Sequence, residues 1–312
     1  MKNKYLARFS RVLALIVIVI ILSMLSPGFL QISNLMNVLN QTSLNLIVAC
    51  GMTITMLITG IDLSVGSILA LTSVVAASYF KSGSVPEMAF GIGLALILGF
   101  LLGAMNGVVV HYLRLPPFLV TFGTQQIFRG MAFLYMSGSV LNDFDSVFLF
   151  IGKGKLWGIP TPVIITVVLI VVVGFILKKT VVGREIYYVG SNLSAAKYSG
   201  ISVAKVTVVS FGLSGMIAAL AGIVYISRLN AAEAVIGESF ALQAIAAAAI
   251  GGISFKGGSG SIYGTIIGAL ILTIILNGMN LLGVPTQWQS FATGGLIIIA
   301  VLMDAKAVKA KE

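Results

Sequence analysis

The sequence predicts an all-α, polytopic integral membrane protein with about ten transmembrane helices, and three observations carry that prediction. Of its 312 residues, 58% are hydrophobic and only 9% are charged, with a mean hydropathy of +1.09. Soluble domains keep about a quarter of their residues charged, and a globule this apolar would expose patches that aggregate. Apolar runs long enough to cross a hydrocarbon core of roughly 30 Å recur along the chain with only short breaks. Thirty-five glycines fit helices packed closely in a bilayer, where small residues let backbones approach.

Taken in order, Lys2, Lys4, Arg8 and Arg11 precede the apolar run Val12 to Leu25. This looks like the start of a signal peptide, but no small-x-small cleavage site follows closely. Ser26-Pro27-Gly28 reads instead as the turn after a retained first span, with the basic N-terminus held in the cytoplasm. Further spans are expected over residues 36–59, 64–80, 88–112, 118–137, 161–177, 206–227, 240–252, 260–282 and 287–303, after a first at 12–29. The second and eighth are the ones expected to break before crossing fully.

Alternate threading puts Arg114, Lys178, Lys179, Arg184, Lys197, Lys205, Lys256, Lys306, Lys309 and Lys311 inside. Lys81, Lys153, Lys155 and Arg228 fall outside, and Arg129 lies in or near a span. The net charge of +10 is therefore the positive-inside signature of a protein with both termini cytoplasmic, not a footprint for nucleic acid. The whole chain, 1–312, reads as one transmembrane domain. Its longest outer stretch, Leu141 to Pro160, is either an amphipathic lid with Trp157 at the membrane interface or a docking site for something outside.

No catalytic constellation is visible. The single Cys50 and single His111 form no ligand set with the acidic residues, so no metal is expected. Gly252 to Gly257 has the spacing of a phosphate loop but continues Gly258-Ser259, with no βαβ pattern around it, and is rejected as a nucleotide site. Energy for any transport must come from an ion gradient or a separate ATPase.

The chain also echoes itself. Thr59 to Ile68, containing Gly60-Ile61-Asp62-Leu63-Ser64-Val65-Gly66-Ser67, is answered by Gly251 to Gly258 with Ser261-Ile262. Asn106-Gly107 before Leu115-Pro116-Pro117 is matched by Asn277-Gly278 before Val284-Pro285. Such repeats in transporters place broken helices and the substrate route between two related halves. Asp62, the one acid expected deep in the first half, either lines or gates a watery path or, with Ser64, caps the helix that starts near Val65. Asn106 and Asn277 bond either a translocating solute or a neighbouring helix, and Gln125, Gln126 and Arg129 admit the same two readings.

The polar interruption over residues 178–205 must lie in water. Within it, Asn192 or Ser191 is placed to cap a helix of about two turns and Gly200 to end it in the left-handed conformation. A helix that short is marginal alone, which implies a docking partner. Leu193 and Ala196, three apart, are expected to share the docking face, Gly190 and Gly200 to let the backbone turn at the helix ends, Arg184 and Lys197 to meet acidic rim groups, and Gly183 to belong to the same device.

The wording of this loop, Gly183-Arg184 followed by Tyr187-Tyr188-Val189-Gly190-Ser191-Asn192-Leu193-Ser194-Ala195-Ala196-Lys197-Tyr198-Ser199-Gly200-Ile201, closely resembles the coupling loop of the permease subunits of ribose-type bacterial ABC importers. The Gly60 to Ser67 motif, Asn106-Gly107 with Leu115-Pro116-Pro117-Phe118, and the glycine-rich Gly251 to Gly264 extend the resemblance over nearly the whole chain. Leu193 and Ser194 depart from it, standing where family members often have Pro and Glu. The resemblance implies the ABC importer permease fold in the bacterial inner membrane. It also implies a second permease copy or paralogue, an extracytoplasmic sugar-binding protein, and an ATP-binding subunit with two nucleotide-binding domains that uses ATP while this chain holds no cofactor. The competing readings are a carrier driven by Na⁺ or H⁺ through Asp62, and a permease of the same superfamily for branched-chain amino acids or nucleosides.

Overall fold

A computed structural model describes residues 2–309, with side chains for residues 9–306. Among the described residues the chain forms thirteen α-helices: α1 (Lys2–Leu25), α2 (Ile32–Leu57), α3 (Val65–Ala76, continued by a 3-10 turn over Ala77–Phe80), α4 (Val85–Leu113), α5 (Pro117–Met136), α6 (Ser146–Lys153), α7 (Thr161–Lys179), α8 (Val181–Ser191), α9 (Leu193–Tyr198), α10 (Val203–Leu229), α11 (Phe240–Ile250), α12 (Ile262–Leu281) and α13 (Thr286–Lys309). Four two-residue strands complete it: β1 (Leu141–Asn142), β2 (Lys155–Leu156), β3 (Ile159–Pro160) and β4 (Ala231–Ala232). β1 pairs antiparallel with β4, and β2 with β3.

Each of the ten expected spans falls on a helix. By length and composition, α4, α7, α10, α12 and α13 are able to cross a membrane. The eighth, α11, stops short as expected, since its 11 residues reach only about 17 Å at 1.5 Å per residue. The second does not break: α2 runs unbroken for 26 residues, about 39 Å. The interruption follows it, and the helix left short is the third, α3, with 12 residues.

Both breaks are made the same way. At the end of α2 the Gly60 N–H bonds the Thr55 carbonyl and the Thr59 N–H bonds the Met56 carbonyl, with Thr59 left-handed at φ 65°. At the end of α11 the Ile253 N–H bonds the Ala248 carbonyl and the Gly252 N–H bonds the Ala249 carbonyl, with Gly252 at φ 81°. These are two copies of one helix-ending motif, so the echo in sequence has a counterpart in structure, offset by one residue. Asn106 and Asn277 are not counterparts in this sense: Asn106 lies on the second helix after its break and Asn277 on the first.

The core is built around α2, whose residues from Thr42 to Leu57 are buried on every side, and α10, which packs most extensively against α4 and then α2 and α3. The α4–α10 contact is a glycine seam. A Cβ on Gly103 would overlap the Phe211 carbonyl and stand 2.9 Å from its carbon, and one on Gly215 would lie 3.1 Å from the Gly103 Cα. Backbones at this separation gain dispersion contact that larger residues forbid. Gly103→Val is therefore expected to abolish accumulation of the protein in the membrane fraction, while Gly123→Ala, with open space at its Cβ position, leaves the yield unchanged.

One end of the bundle is closed by the segment after α5. Asp145 caps α6 by accepting from the Val147 N–H, and α6 lies on the end of α10, where the Ser227 hydroxyl accepts from the Gly152 N–H and donates to the Phe148 carbonyl, both at 2.7 Å. The segment is thus strapped down as a lid, with Trp157 at the β2–β3 tip 93% exposed. This end carries Lys81, Lys153, Lys155 and Arg228 among the acids Glu87, Asp143, Asp145, Glu233 and Glu238. The opposite end carries Arg11, Arg114, Lys178, Lys179, Arg184, Lys197, Lys205, Lys256 and Lys306, with Glu185 and Asp304 as its acids. Lys2, Lys4, Arg8, Lys309 and Lys311, which the topology also uses, lie outside the described side chains.

Candidate functional site

Asp62, Ser64 and Asn106 come together in one buried network. The interruption over residues 58–64 leaves backbone groups without helical partners, and polar side chains supply them. Asp62 Oδ1 accepts from the Ser64 N–H at 3.1 Å and the Ser64 hydroxyl at 2.6 Å, and Oδ2 accepts from the Ser214 hydroxyl of α10 at 3.1 Å. The Ser64 oxygen in turn accepts from Asn106 Nδ2 of α4 at 2.8 Å. From α5, the Thr121 hydroxyl donates to the Ile61 carbonyl at 2.9 Å and accepts from the Leu63 N–H at 3.1 Å. Asp62, Ser64 and Asn106 have no exposed surface. The carboxylate therefore ties the start of α3 to α10, and through Ser64 to α4, by satisfying groups that would otherwise be buried unpaired. Asp62 acts on the N–H two residues ahead, in a local turn, while Ser64 is the N-cap by position and its side chain makes no cap bond. The Asn106 side-chain oxygen, Oδ1, is left without a partner.

Asn277 belongs to a separate pair. It exchanges amide hydrogen bonds of 3.0 and 3.1 Å with Asn34 of α2, which also donates to the Phe29 carbonyl at 2.9 Å. Both amides are spent between helices. Arg129 is held by the carbonyls of Ala234 and Ile236, with Ile236 at 2.7 Å, so it pins the turn before α11 and is not turned to lipid. Gln126 on the same helix stays exposed. An open, apolar hollow of about 230 Å³ lies between α4 and α5, walled by Val109, Leu119, Gly123 and Ile127 among others, and none of Asp62, Ser64, Asn106 and Asn277 reaches it.

The segment over residues 178–205 folds as two helices, where the sequence reading expected one. Thr180 caps α8 by accepting from the Gly183 N–H, and Asn192 caps α9 by accepting from the Ala195 N–H at 2.9 Å. α9 ends on Gly200 at φ 79°, with the Ile201 N–H on the Ala196 carbonyl and the Gly200 N–H on that of Lys197. α8 was legible in principle: Val182, Ile186 and Val189 recur at helical spacing behind Thr180.

Gly183, Ile186, Val189, Gly190 and Ala196 are buried against the rest of the chain. Leu193 and Ala196 therefore do not share an outer face, because Leu193 opens α9 on its free side at 58% exposure while Ala196 turns under it at 3%. The free face carries Tyr188, Leu193 and Tyr198, with Arg184 and Lys197 beside them. Gly190 is helical, not a turn residue. A Cβ there would overlap the Leu57 carbonyl and lie 2.6 Å from the Gly258 nitrogen, so glycine is what lets α8 touch the end of α2. Tyr187 donates to the Gly260 carbonyl at 3.1 Å, and burial raises its hydroxyl above the ordinary tyrosine pKa.

A protein family described as "Branched-chain amino acid transport system / permease component" matches residues 34–301. The chain is 43% identical over 298 residues to the ribose import permease protein of Escherichia coli (strain K12), covering 94% of this chain and 92% of that one. It is 41% identical over 291 residues to the D-allose transport system permease protein of the same organism, covering 93% and 89%. It is 35% identical over 308 residues to the galactose/methyl galactoside import permease protein of Salmonella typhimurium, covering 93% and 92%. No solved structure matches the chain.

Proposed function

The chain belongs to the branched-chain amino acid transport system / permease component family, and from that premise we propose that it forms the translocation path of an ATP-driven importer for a simple sugar, ribose or a related monosaccharide. The relatives named for ribose, allose and galactose support a sugar over an amino acid or nucleoside. The observation that carries the ATP-driven reading is the free face of α8–α9. Tyr188 and Leu193 at 58% exposure and Tyr198 at 92% are exposed apolar-bodied side chains among the exposed Arg184 and Lys197, on a segment too polar to sit in the hydrocarbon core. Exposed aromatic and aliphatic side chains ringed by charge are the makings of a protein-binding surface.

In this reading the α8–α9 end and both termini face the cytoplasm of a bacterial cell, as the excess of Lys and Arg at that end supports. An ATP-binding subunit with two nucleotide-binding domains docks there and does all the hydrolysis. The chain itself is no enzyme and carries no metal or cofactor. The lid end, with Trp157 at its tip, receives an extracytoplasmic sugar-binding protein. A second permease copy or a paralogue packs along α5. Gln126 is exposed on this helix between the open glycines Gly123 and Gly130, and an amide facing lipid is costly while one facing a partner or a watery seam is not. Cells lacking this chain are expected to lose high-affinity ribose-class uptake, with restoration by the chain only when the ATP-binding subunit is present. Restoration in cells without that subunit would overturn the reading.

A further inference from the structure

The glycine-rich loop between α11 and α12, residues 251–261, is held by four elements that are otherwise far apart in the chain. Arg11 of α1 donates to the Gly251 carbonyl at 2.6 Å. Asp304 of α13 accepts from the Ser254 hydroxyl at 2.9 Å and the Phe255 N–H at 3.0 Å. The Leu57 carbonyl, the last helical residue of α2, accepts from the Gly258 N–H at 2.8 Å. Tyr187 of α8 donates to the Gly260 carbonyl, and Gly190 lies against both Leu57 and Gly258.

The loop thus joins α8, the stop of α2 and the stop of α11 in one close-packed junction. On the far side of the α2 stop, the break over residues 58–64 is tied to α10 by Ser214, to α5 by Thr121 and, through Ser64, to α4 by Asn106. Thr59, a β-branched residue in the left-handed region, sits at the joint itself, with its Cγ2 2.6 Å from where a Gly257 Cβ would be. Packed backbone of this kind does not deform smoothly. It moves as a piece or not at all.

Resting on the ATP-driven reading above, we infer that loop 251–261 is the transmission element of this permease: displacement of α8–α9 reaches the breaks of both halves through it, and Asp304 and Tyr187 are positioning residues that keep it engaged. The readout is the coupling itself. The experiment uses the full complex of permease, ATP-binding subunit and sugar-binding protein in lipid nanodiscs and proteoliposomes, comparing wild type with Asp304→Ala, Asp304→Asn and Tyr187→Phe. The measured quantities are copurifying ATP-binding subunit, the ratio of hydrolysis with loaded binding protein to hydrolysis without it, and uptake.

Asp304→Ala and Tyr187→Phe are each expected to lower that ratio and the uptake by about fivefold or more, the usual floor for an allosteric coupling, with copurification unchanged. Asp304→Asn, which keeps an acceptor oxygen for Ser254 and Phe255, is expected to retain most of both. A role confined to stability would lower yield without moving the ratio. Ratio and uptake within about twofold of wild type in both Asp304→Ala and Tyr187→Phe would overturn the inference, as would loss of the ATP-binding subunit from those complexes. Failure of the wild type to retain that subunit or to take up sugar with ATP would instead overturn the ATP-driven reading itself.

Discussion

Leu193→Glu is expected to strip the ATP-binding subunit from the complex while leaving the permease folded in the membrane. Leu193 opens α9 at 58% exposure, so its removal costs the permease little core, and a carboxylate in the first turn of a helix interacts favourably with the exposed N–H groups there. Against a partner the balance reverses. A charge replaces an exposed apolar side chain on the docking side of α9 and has to be desolvated without a counter-charge. Truncating a central interface residue costs about 2 kcal/mol or more, and burying a charge there costs at least that, a loss in affinity of roughly thirtyfold. Copurification and uptake should fall together, with membrane yield unchanged. Ala196→Glu is the contrast: Ala196 is 3% exposed and packs inward, so that variant should lower the yield of the permease itself. Lys81→Glu, at the opposite end, should do neither. If Leu193→Glu keeps full copurification and uptake, the free face of α8–α9 is a solvated surface and not a docking site.

Asp62→Leu is expected to prevent accumulation of folded protein, and Asp62→Asn to permit it. Leucine removes the acceptor of three hydrogen bonds and leaves the Ser64 N–H, the Ser64 hydroxyl and the Ser214 hydroxyl buried without it. At about 1–3 kcal/mol for each buried group left unsatisfied, the loss is on the order of 3 kcal/mol or more, a large part of the stability of a typical domain. Asparagine keeps one oxygen for the two Ser64 donors and presents an amide that donates to the Ser214 hydroxyl, so the three contacts that the aspartate makes each keep a partner. Thermal unfolding in detergent and ATP-driven uptake measure the two consequences. Normal uptake by Asp62→Asn would fit the structural role, whereas a variant that is stable yet inactive would give the carboxylate charge a part in transport.

How much of this was legible beforehand differed by element. The ten expected runs follow from hydropathy because the bilayer forces every backbone polar group into a helix; each meets a helix, and five of those helices are long and apolar enough to cross. The caps at Asn192 and Gly200 follow from local chemistry that acts within four residues. What could not be read was set by partners distant in sequence. Whether Asp62 meets water or Ser214, or Asn277 meets a solute or Asn34, depends on pairings 152 and 243 residues apart. Spacing in the sequence put Leu193 and Ala196 on one face, but the buried side of α9 is chosen by how α8 docks. That in turn rests on Gly190 lying against Leu57. The glycine seam is visible in the sequence as Gly99, Gly103 and Gly107 at four-residue spacing, a pattern of close helix contact.

The most direct test of the whole account is sugar uptake into proteoliposomes holding the permease, its ATP-binding subunit and the loaded binding protein, with ATP on the side of α8–α9 and all ion gradients collapsed by ionophores. The account predicts accumulation of ribose or a related monosaccharide that requires ATP hydrolysis and is insensitive to the ionophores. Uptake that persists without ATP or without the ATP-binding subunit and vanishes with the gradients would contradict it.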